Sequence, residues 1–220
     1  MFTFDEFAHP VPDGISAAQS AAWQSVAGAG SWWSGQQRVT IARELRAARR
    51  QRSEASPSPK PSPSVSDLPA AAVEATRRIA TDAHRLDRTW CDGITQELGD
   101  AAYVELVAVS VFTTVVDVFA EALGTKLEPL PRPRVGDPDK QRPTGLGDAG
   151  AWVPMTVPWR GPNVARALSL APNEQRGFMG LVGSMYAMAD FTELVWDRPL
   201  SRPQVELVAA RVSAVNECFY

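Results

Sequence analysis

The stretch from Asp100 to Gly124, DAAYVELVAVSVFTTVVDVFAEALG, constrains the fold more than any other part of the sequence. At about 100° per residue its apolar side chains cover most of a helix circumference, and the strict alternation of a strand is absent. Asp100 is a favourable N-cap and Gly124 stands where a left-handed C-cap belongs, so we predict a helix of about six or seven turns. Such a helix must be enclosed by others, and the three acids within it argue against a membrane span.

A narrow polar stripe runs along one side of this predicted helix. Asp117 is the better candidate for a functional role within it, but a stripe of this kind more often faces solvent or a partner subunit. We therefore expect the stripe to be exposed or to lie at a subunit contact. Its residues are Ser110, Thr114, Asp117 and Glu121.

The composition is that of a folded protein without a basic surface. With 220 residues, 45% of them hydrophobic and 21% charged, the chain can bury a core, and disorder of the whole is excluded. A net charge of −3 and a pI near 5.5 supply no basic field, so neither nucleic acid nor a membrane is expected as a partner. The first 14 residues lack the basic and apolar regions of a secretory signal, which predicts a cytoplasmic location.

The cysteines and histidines indicate no metal centre. The two cysteines, Cys91 and Cys218, lie far apart and match no metal-ligand spacing, and His9 and His84 have no ligand partner at i+3 or i+4. We expect no metal and no cofactor. Cys91 has no basic neighbour nearer than Arg88 and is interpreted as a packing residue. On the residues alone, Cys218 too is more often a small buried hydrophobe than a reactive thiol.

Helical periodicity and capping signals predict further helices on both sides of the central one. Ser16, Asp67 and Ser201 are N-cap candidates, and proline follows in the first turn after the last two. Nothing in the sequence indicates a hairpin, a βαβ unit or a glycine-rich phosphate loop, so we predict an all-α fold with no sheet. The predicted helices are 16–28, 37–54, 68–86, 88–98, 163–170, 172–191 and 201–220.

Arginines gather at the far end of the predicted helix 37–54, between Arg43 and Arg52. Such a cluster can bind an acidic partner or nucleic acid, but no aromatic residues interleave it and the chain is acidic overall. We therefore expect a solvated helix end whose positive charges complement the helix dipole.

Two proline-rich stretches interrupt the helices. Residues 54–66 contain SPSPKPSPS, a composition typical of extended, solvated chain, and we predict a flexible linker there. Residues 131–160 belong to a second stretch rich in proline and glycine, which is long for a loop inside a compact unit. This second stretch either connects two units or wraps around one of them.

Two parts of the chain together resemble the alkylhydroperoxidase AhpD-like, or carboxymuconolactone decarboxylase-like, family of all-α proteins. Residues 92–129, from DGITQELGDAAYVELV to ALGTKLEP, resemble the helix pair that follows the family's active site. PNVARALSLAPNEQRGFMGLV and LSRPQVELVAARVSAVNECFY resemble the sequence leading up to that site. In the family the sequence leading up to the active site comes before the helix pair, whereas in this chain the helix pair comes first. The resemblance therefore implies two tandem units, 1–130 and an incomplete 161–220, joined by the connector 131–160.

The resemblance implies a thiol peroxidase site, in which a C-x-x-C pair is assisted by a glutamate and a histidine. Cys218 matches the first cysteine of that motif and Glu206 matches the glutamate, so these are the candidate catalytic residues. The second cysteine and the histidine are expected beyond Tyr220. In the first unit, aligning Val39 with Val205 puts Arg52 at the position of Cys218, and no cysteine precedes Cys91.

Two functions therefore remain open from the sequence. One is an alkylhydroperoxidase-like protein of the thiol peroxidase lineage, with a degenerate or truncated redox site and a thiol as its possible electron donor. The other is a non-catalytic helical scaffold or binding protein that retains the fold. In both cases we expect a homo-oligomer, most simply a dimer, because an incomplete second unit leaves Val205, Val208 and Val212 without covering helices.

Overall fold

The structure is a computed structural model that describes residues 4, 7, 9–53, 67–186 and 199–218. Within these residues the chain is all-α, which confirms the predicted fold class. A short 3₁₀ turn, Ala83–Arg85, and one pair of two-residue strands complete the regular structure. The α-helices are α1 Asp13–Ala27, α2 Gly35–Ser53, α3 Ala70–Asp82, α4 Arg88–Leu98, α5 Asp100–Ala122, α6 Asn163–Arg166, α7 Pro172–Met185 and α8 Arg202–Val215.

Helix α5 is the centre of the bundle, as its sequence predicts. Fourteen of its 23 residues are buried, and α1, α2, α3, α4 and α7 all pack against it. By length and composition α5 is also apolar enough to cross a membrane, but most of it is enclosed by the other helices. Core residues Leu106, Val109 and Phe112 are at most 1% exposed.

Both ends of α5 are fixed by local backbone chemistry. Gly99, with a φ of 85°, precedes the helix, and the Asp100 carboxylate accepts a hydrogen bond from the backbone N–H of Ala101 at 2.7 Å. At the other end Gly124 has a φ of 69°, and the Thr125 N–H donates to the carbonyl of Ala120 at 3.0 Å. This is a Schellman arrangement, which requires a residue that tolerates the left-handed conformation.

Helix α2 buries the side that its spacing predicts. Val39, Ala42, Leu45 and Ala48 are all at most 4% exposed and pack against α3, α5 and α1. Gly35 begins this helix where a Cβ would lie only 2.3 Å from the carbonyl oxygen of Ala27. Because that neighbour is backbone, the close approach of the α1 and α2 ends depends on glycine at this position.

The part of the chain after the connector joins the same core. Helix α7 packs against α1 and α5, and Leu181 on α7 is 3% exposed. Residues 131–160 lie along the first helices, since the Arg134 N–H donates to the Ala27 carbonyl and the Lys140 N–H donates to the Ser31 carbonyl. The connector therefore wraps the bundle, while the division of the chain into two alkylhydroperoxidase-like units stays a prediction.

Three expectations from the sequence differ from the structure, are refined by it or lie outside it. The prediction of a fold without any sheet was wrong, because β1 Leu146–Gly147 pairs antiparallel with β2 Met155–Thr156 inside the connector. The apolar spacing of residues 68–86 predicts Val73 and Ile79 on the inner face, and both are half-buried against the core. The fully buried residues of α3 are the smaller Ala71, Ala72, Ala75 and Thr76, which allow α2 to approach closely. The predicted flexible linker 54–66 lies outside the described residues.

Candidate functional site

Glu206 lies on α8 and is held by its neighbours. Ser201 and Gln204 form a capping box at the start of this helix. The Tyr186 hydroxyl donates to Glu206 Oε2 at 2.7 Å, and the Arg202 Nε lies 3.6 Å from Glu206 Oε1. The hydrogen bond to the carboxylate raises the pKa of Tyr186. The Glu206 carboxylate therefore accepts its hydrogen bond from a tyrosine hydroxyl and not from a thiol.

Cys218 lies beyond the end of α8 and is exposed. The helix ends at Val215, Glu217 takes a left-handed φ of 53°, and the Cys218 N–H donates to the Ser213 carbonyl at 3.0 Å. No hydrogen bond joins Cys218 to Glu206 in the described part of the chain. The structure therefore does not bring the two predicted catalytic residues into contact, since the helix ends between them.

The Cys218 groove is the open cavity of about 890 Å³ that this cysteine lines together with Arg52, His84 and Trp152. The His84 Nε2 lies 3.5 Å from Oε2 of Glu217, the residue that directly precedes Cys218. Arg52, which the two-unit interpretation aligns with Cys218, ends α2 in this same groove.

Charges of both signs line the Cys218 groove. Arg85 and Asp82 contribute to it, and the pKa of Asp82 is lowered, first by a hydrogen bond from Thr81 and then by Arg85, Arg52 and His84. The groove can accept a polar or anionic molecule beside the thiol.

Cys91 has the opposite environment, on α4 in the core. Its side chain is 1% exposed and is hydrogen-bonded to Tyr103. Burial raises the pKa of the Cys91 thiol and also that of the Tyr103 hydroxyl. A thiol that is both covered and harder to ionise is a poor nucleophile, which agrees with the packing role expected from the sequence.

A buried ion cluster of Arg38, Glu105 and Glu174 was not predicted from the sequence. Arg38 Nη1 donates to Glu105 Oε1 and to Glu174 Oε1, both at 2.7 Å. These three residues come from α2, α5 and α7 and are at most 5% exposed. The cluster thus joins helices from both sides of the connector through one guanidinium.

Glu105 also accepts hydrogen bonds from the backbone between α1 and α2. The Trp32 N–H donates to its Oε2 at 2.7 Å and the Trp33 N–H donates to its Oε1 at 3.4 Å. Gly30 leaves the space for this, because a Cβ there would lie 1.9 Å from Glu105 Oε1. Burial raises the pKa of Glu105, and the nearby charge of Glu174 raises it further against the opposing effect of Arg38.

Substitution of Glu105 by glutamine tests the charge of the cluster while keeping its shape. The folded-state pKa of Glu105 lies above its unfolded value of about 4.3, so between these two pKa values the folded state binds more protons than the unfolded state. The free energy of unfolding therefore falls as the pH rises from about 4.3 through the folded-state pKa. We expect the free energy of unfolding of the wild type, relative to Glu105→Gln, to decrease from about pH 4 to about pH 7 in urea titrations. Exposed Glu97→Gln is the control, and a difference that stays constant or grows with pH would contradict this assignment.

A second ion cluster covers the polar stripe of α5. The Arg46 guanidinium binds both oxygens of Asp117 at 3.0 Å or less, and Arg49 binds Glu121 at 2.9 Å. Asp117 is 1% exposed, and burial raises its pKa.

The expectation of an exposed stripe was therefore wrong for Ser110 and Asp117, which are buried, whereas Glu121 is exposed. The expectation of a solvated arginine end was wrong for Arg46 and Arg49, which pair with these acids, whereas Arg43, Arg50 and Arg52 are exposed. The arginines of α2 and the acids of α5 each follow helical spacing, but the contact between the two groups depends on how α2 and α5 pack.

No group of three or more histidine, cysteine, aspartate or glutamate side chains forms a metal site within the described ranges. Comparisons of the chain with protein-family models, curated proteins and solved structures give no match. The alkylhydroperoxidase resemblance therefore stays a prediction, and the function has to be argued from the chain itself.

Proposed function

We propose that the chain is an alkylhydroperoxidase-like protein with a degenerate or truncated redox site, in which Cys218 is the thiol that peroxide can still oxidise. The observation that carries this proposal is the contrast between the two cysteines. Cys218 is exposed in a groove beside His84, whereas Cys91 is 1% exposed and has a raised pKa. The first half of the chain serves as a scaffold, because its helix α2 carries buried ion pairs and no cysteine.

The proposed reaction has one oxidation step on the protein. The sulfur of Cys218 attacks the outer oxygen of a hydroperoxide, the O–O bond breaks, and the alcohol leaves with the thiol proton. The resulting sulfenic acid condenses with an external thiol to give a mixed disulfide and water. A second external thiol then releases Cys218 as a thiol and leaves as the donor disulfide. His84, which lines the same groove, is the proposed carrier of the proton, and the external thiol is the electron donor.

Trapping of the sulfenic acid tests this proposal. The protein is treated with one equivalent of cumene hydroperoxide in the presence of dimedone, which adds to sulfenic acids, and the adduct is mapped by peptide mass spectrometry. We expect a single adduct on Cys218, retained in Cys91→Ser and lost in Cys218→Ser, because the thiol of Cys91 is covered. An unmodified Cys218, or an adduct on Cys91 alone, would refute the assignment.

A non-catalytic binding protein is the second candidate, and the surface of α8 favours it. No residue of this helix is buried, and Val208 and Val212 are more than half exposed. An apolar helix face of this kind favours association, so we also propose that the chain forms a homo-oligomer through α8. The dimedone experiment tests the peroxide chemistry at Cys218, and light scattering tests association through α8, where a monomer at micromolar concentration would contradict the homo-oligomer.

A further inference from the structure

A second cavity, which the proposed peroxide chemistry does not use, lies at the C-terminal end of α5. We call it the α5-end pocket: it has a volume of about 830 Å³ and is bounded by Phe7, α1, the last turns of α5 and residues 125–134. Pockets that bind small molecules have volumes of about 300–1,000 Å³. Its apolar walls include Trp23, Val116, Phe119, Leu127 and Leu130.

The loop that closes the α5-end pocket is fixed in place by hydrogen bonds along its length. The Trp23 indole N–H donates to the Pro129 carbonyl at 3.0 Å. The Arg134 N–H donates to the Ala27 carbonyl at 2.8 Å, and the Arg134 guanidinium donates to the Gln24 carbonyl at 3.0 Å. The pocket is therefore preformed, so little ordering has to accompany the binding of a ligand.

The charge around the α5-end pocket is positive, in contrast to the chain as a whole. Lys126, Arg132 and Arg134 line it together with one acid, Glu128. In the described part of the chain, the side chains of Lys126 and Arg132 form no ion pair or hydrogen bond. Two cations without partners beside an apolar cavity are complementary to a molecule that has both an apolar body and an anionic head.

We propose that the α5-end pocket binds a single-chain amphiphile with a carboxylate head, such as a medium-chain fatty acid. The alkyl chain lies against the apolar walls, where burial of each methylene removes apolar surface from water. The carboxylate lies between Lys126 and Arg132. A flat aromatic ligand fits less well, because the ring of Trp23 is 4% exposed and already carries the Arg46 guanidinium at 4.9 Å.

Calorimetric titration with decanoate, decanol and inorganic phosphate tests this proposal on the unmodified full chain. We expect decanoate to bind about tenfold or more tightly than decanol and phosphate, because only decanoate uses both the walls and the cations. Equal affinities for phosphate and decanoate, or no binding of decanoate, would overturn the proposal. The readout needs no peroxide, so it is independent of the chemistry proposed at Cys218.

Three variants assign the binding to this pocket, two of them matched in their change of net charge. Lys126→Glu/Arg132→Glu should weaken decanoate about tenfold and leave decanol unchanged, while Arg160→Glu/Arg211→Glu, with the same change of net charge at exposed positions elsewhere, should change neither. Ser20→Trp, which fills the pocket from α1, should weaken both ligands. Decanoate binding that responds equally to the two charge variants, or not at all to Ser20→Trp, would place the ligand elsewhere.

Discussion

Replacement of Arg38 by alanine should destabilise the folded chain by about 3–5 kcal/mol, the usual cost of removing one partner from a buried ion pair. The substitution leaves Glu105 and Glu174 buried without their common donor, and the two carboxylates then repel each other. It also removes the guanidinium that joins α2 to α7. The effect is large relative to a total stability of about 5–15 kcal/mol for a typical domain.

Urea unfolding followed by circular dichroism measures this effect. The control is Arg88→Ala, whose exposed pair with Asp92 should contribute less than about 1 kcal/mol. A third variant, Arg38→Met/Glu105→Gln/Glu174→Gln, removes all three charges and should recover much of the lost stability, because no unpaired buried charge remains. An Arg38→Ala protein within about 1 kcal/mol of the wild type, or a triple variant no more stable than the single one, would contradict the role of the cluster.

The sequence predicted the elements of the bundle because their signals are local. The apolar periodicity of α5, its glycine C-cap at Gly124 and the apolar spacing along α2 all depend on residues within a few turns of one another. The strand pair in the connector was missed because two-residue strands give no alternation to detect.

The ion clusters were missed because their partners are distant in the sequence. Arg38 and Glu174 are separated by 136 positions, and on a helical pattern Arg38 looks like any solvated residue. The one available signal was an acid, Glu105, inside a nearly continuous apolar run, since a buried carboxylate needs a donor. That signal predicts a partner but does not identify it.

The positions of Cys218 and Glu206 relative to each other were only partly predictable. Twelve residues along an ideal helix separate the two side chains by about 120°, which already argues against direct contact. The end of α8 at Val215 and the placement of Cys218 near His84 depend on tertiary packing, which the periodicity of a single helix does not determine.

Peroxide turnover by this chain is expected to be negligible. A two-cysteine cycle needs a second thiol within disulfide reach, with Cα atoms closer than about 7 Å. The other cysteine, Cys91, is buried against Tyr103, and both cysteines are free thiols. Cys218 can therefore be oxidised once and then depends on an external thiol, a slow route without a resolving cysteine in place.

The most direct test is peroxide consumption in excess dithiol, with the wild type compared with Cys218→Ser and Cys91→Ser. We expect Cys218 in the wild type to react no faster than an equal concentration of a small-molecule thiol, and Cys91→Ser to behave like the wild type. Fast, repeated turnover that disappears in Cys218→Ser would contradict this expectation, and its loss in Cys91→Ser as well would require a working couple between Cys91 and Cys218.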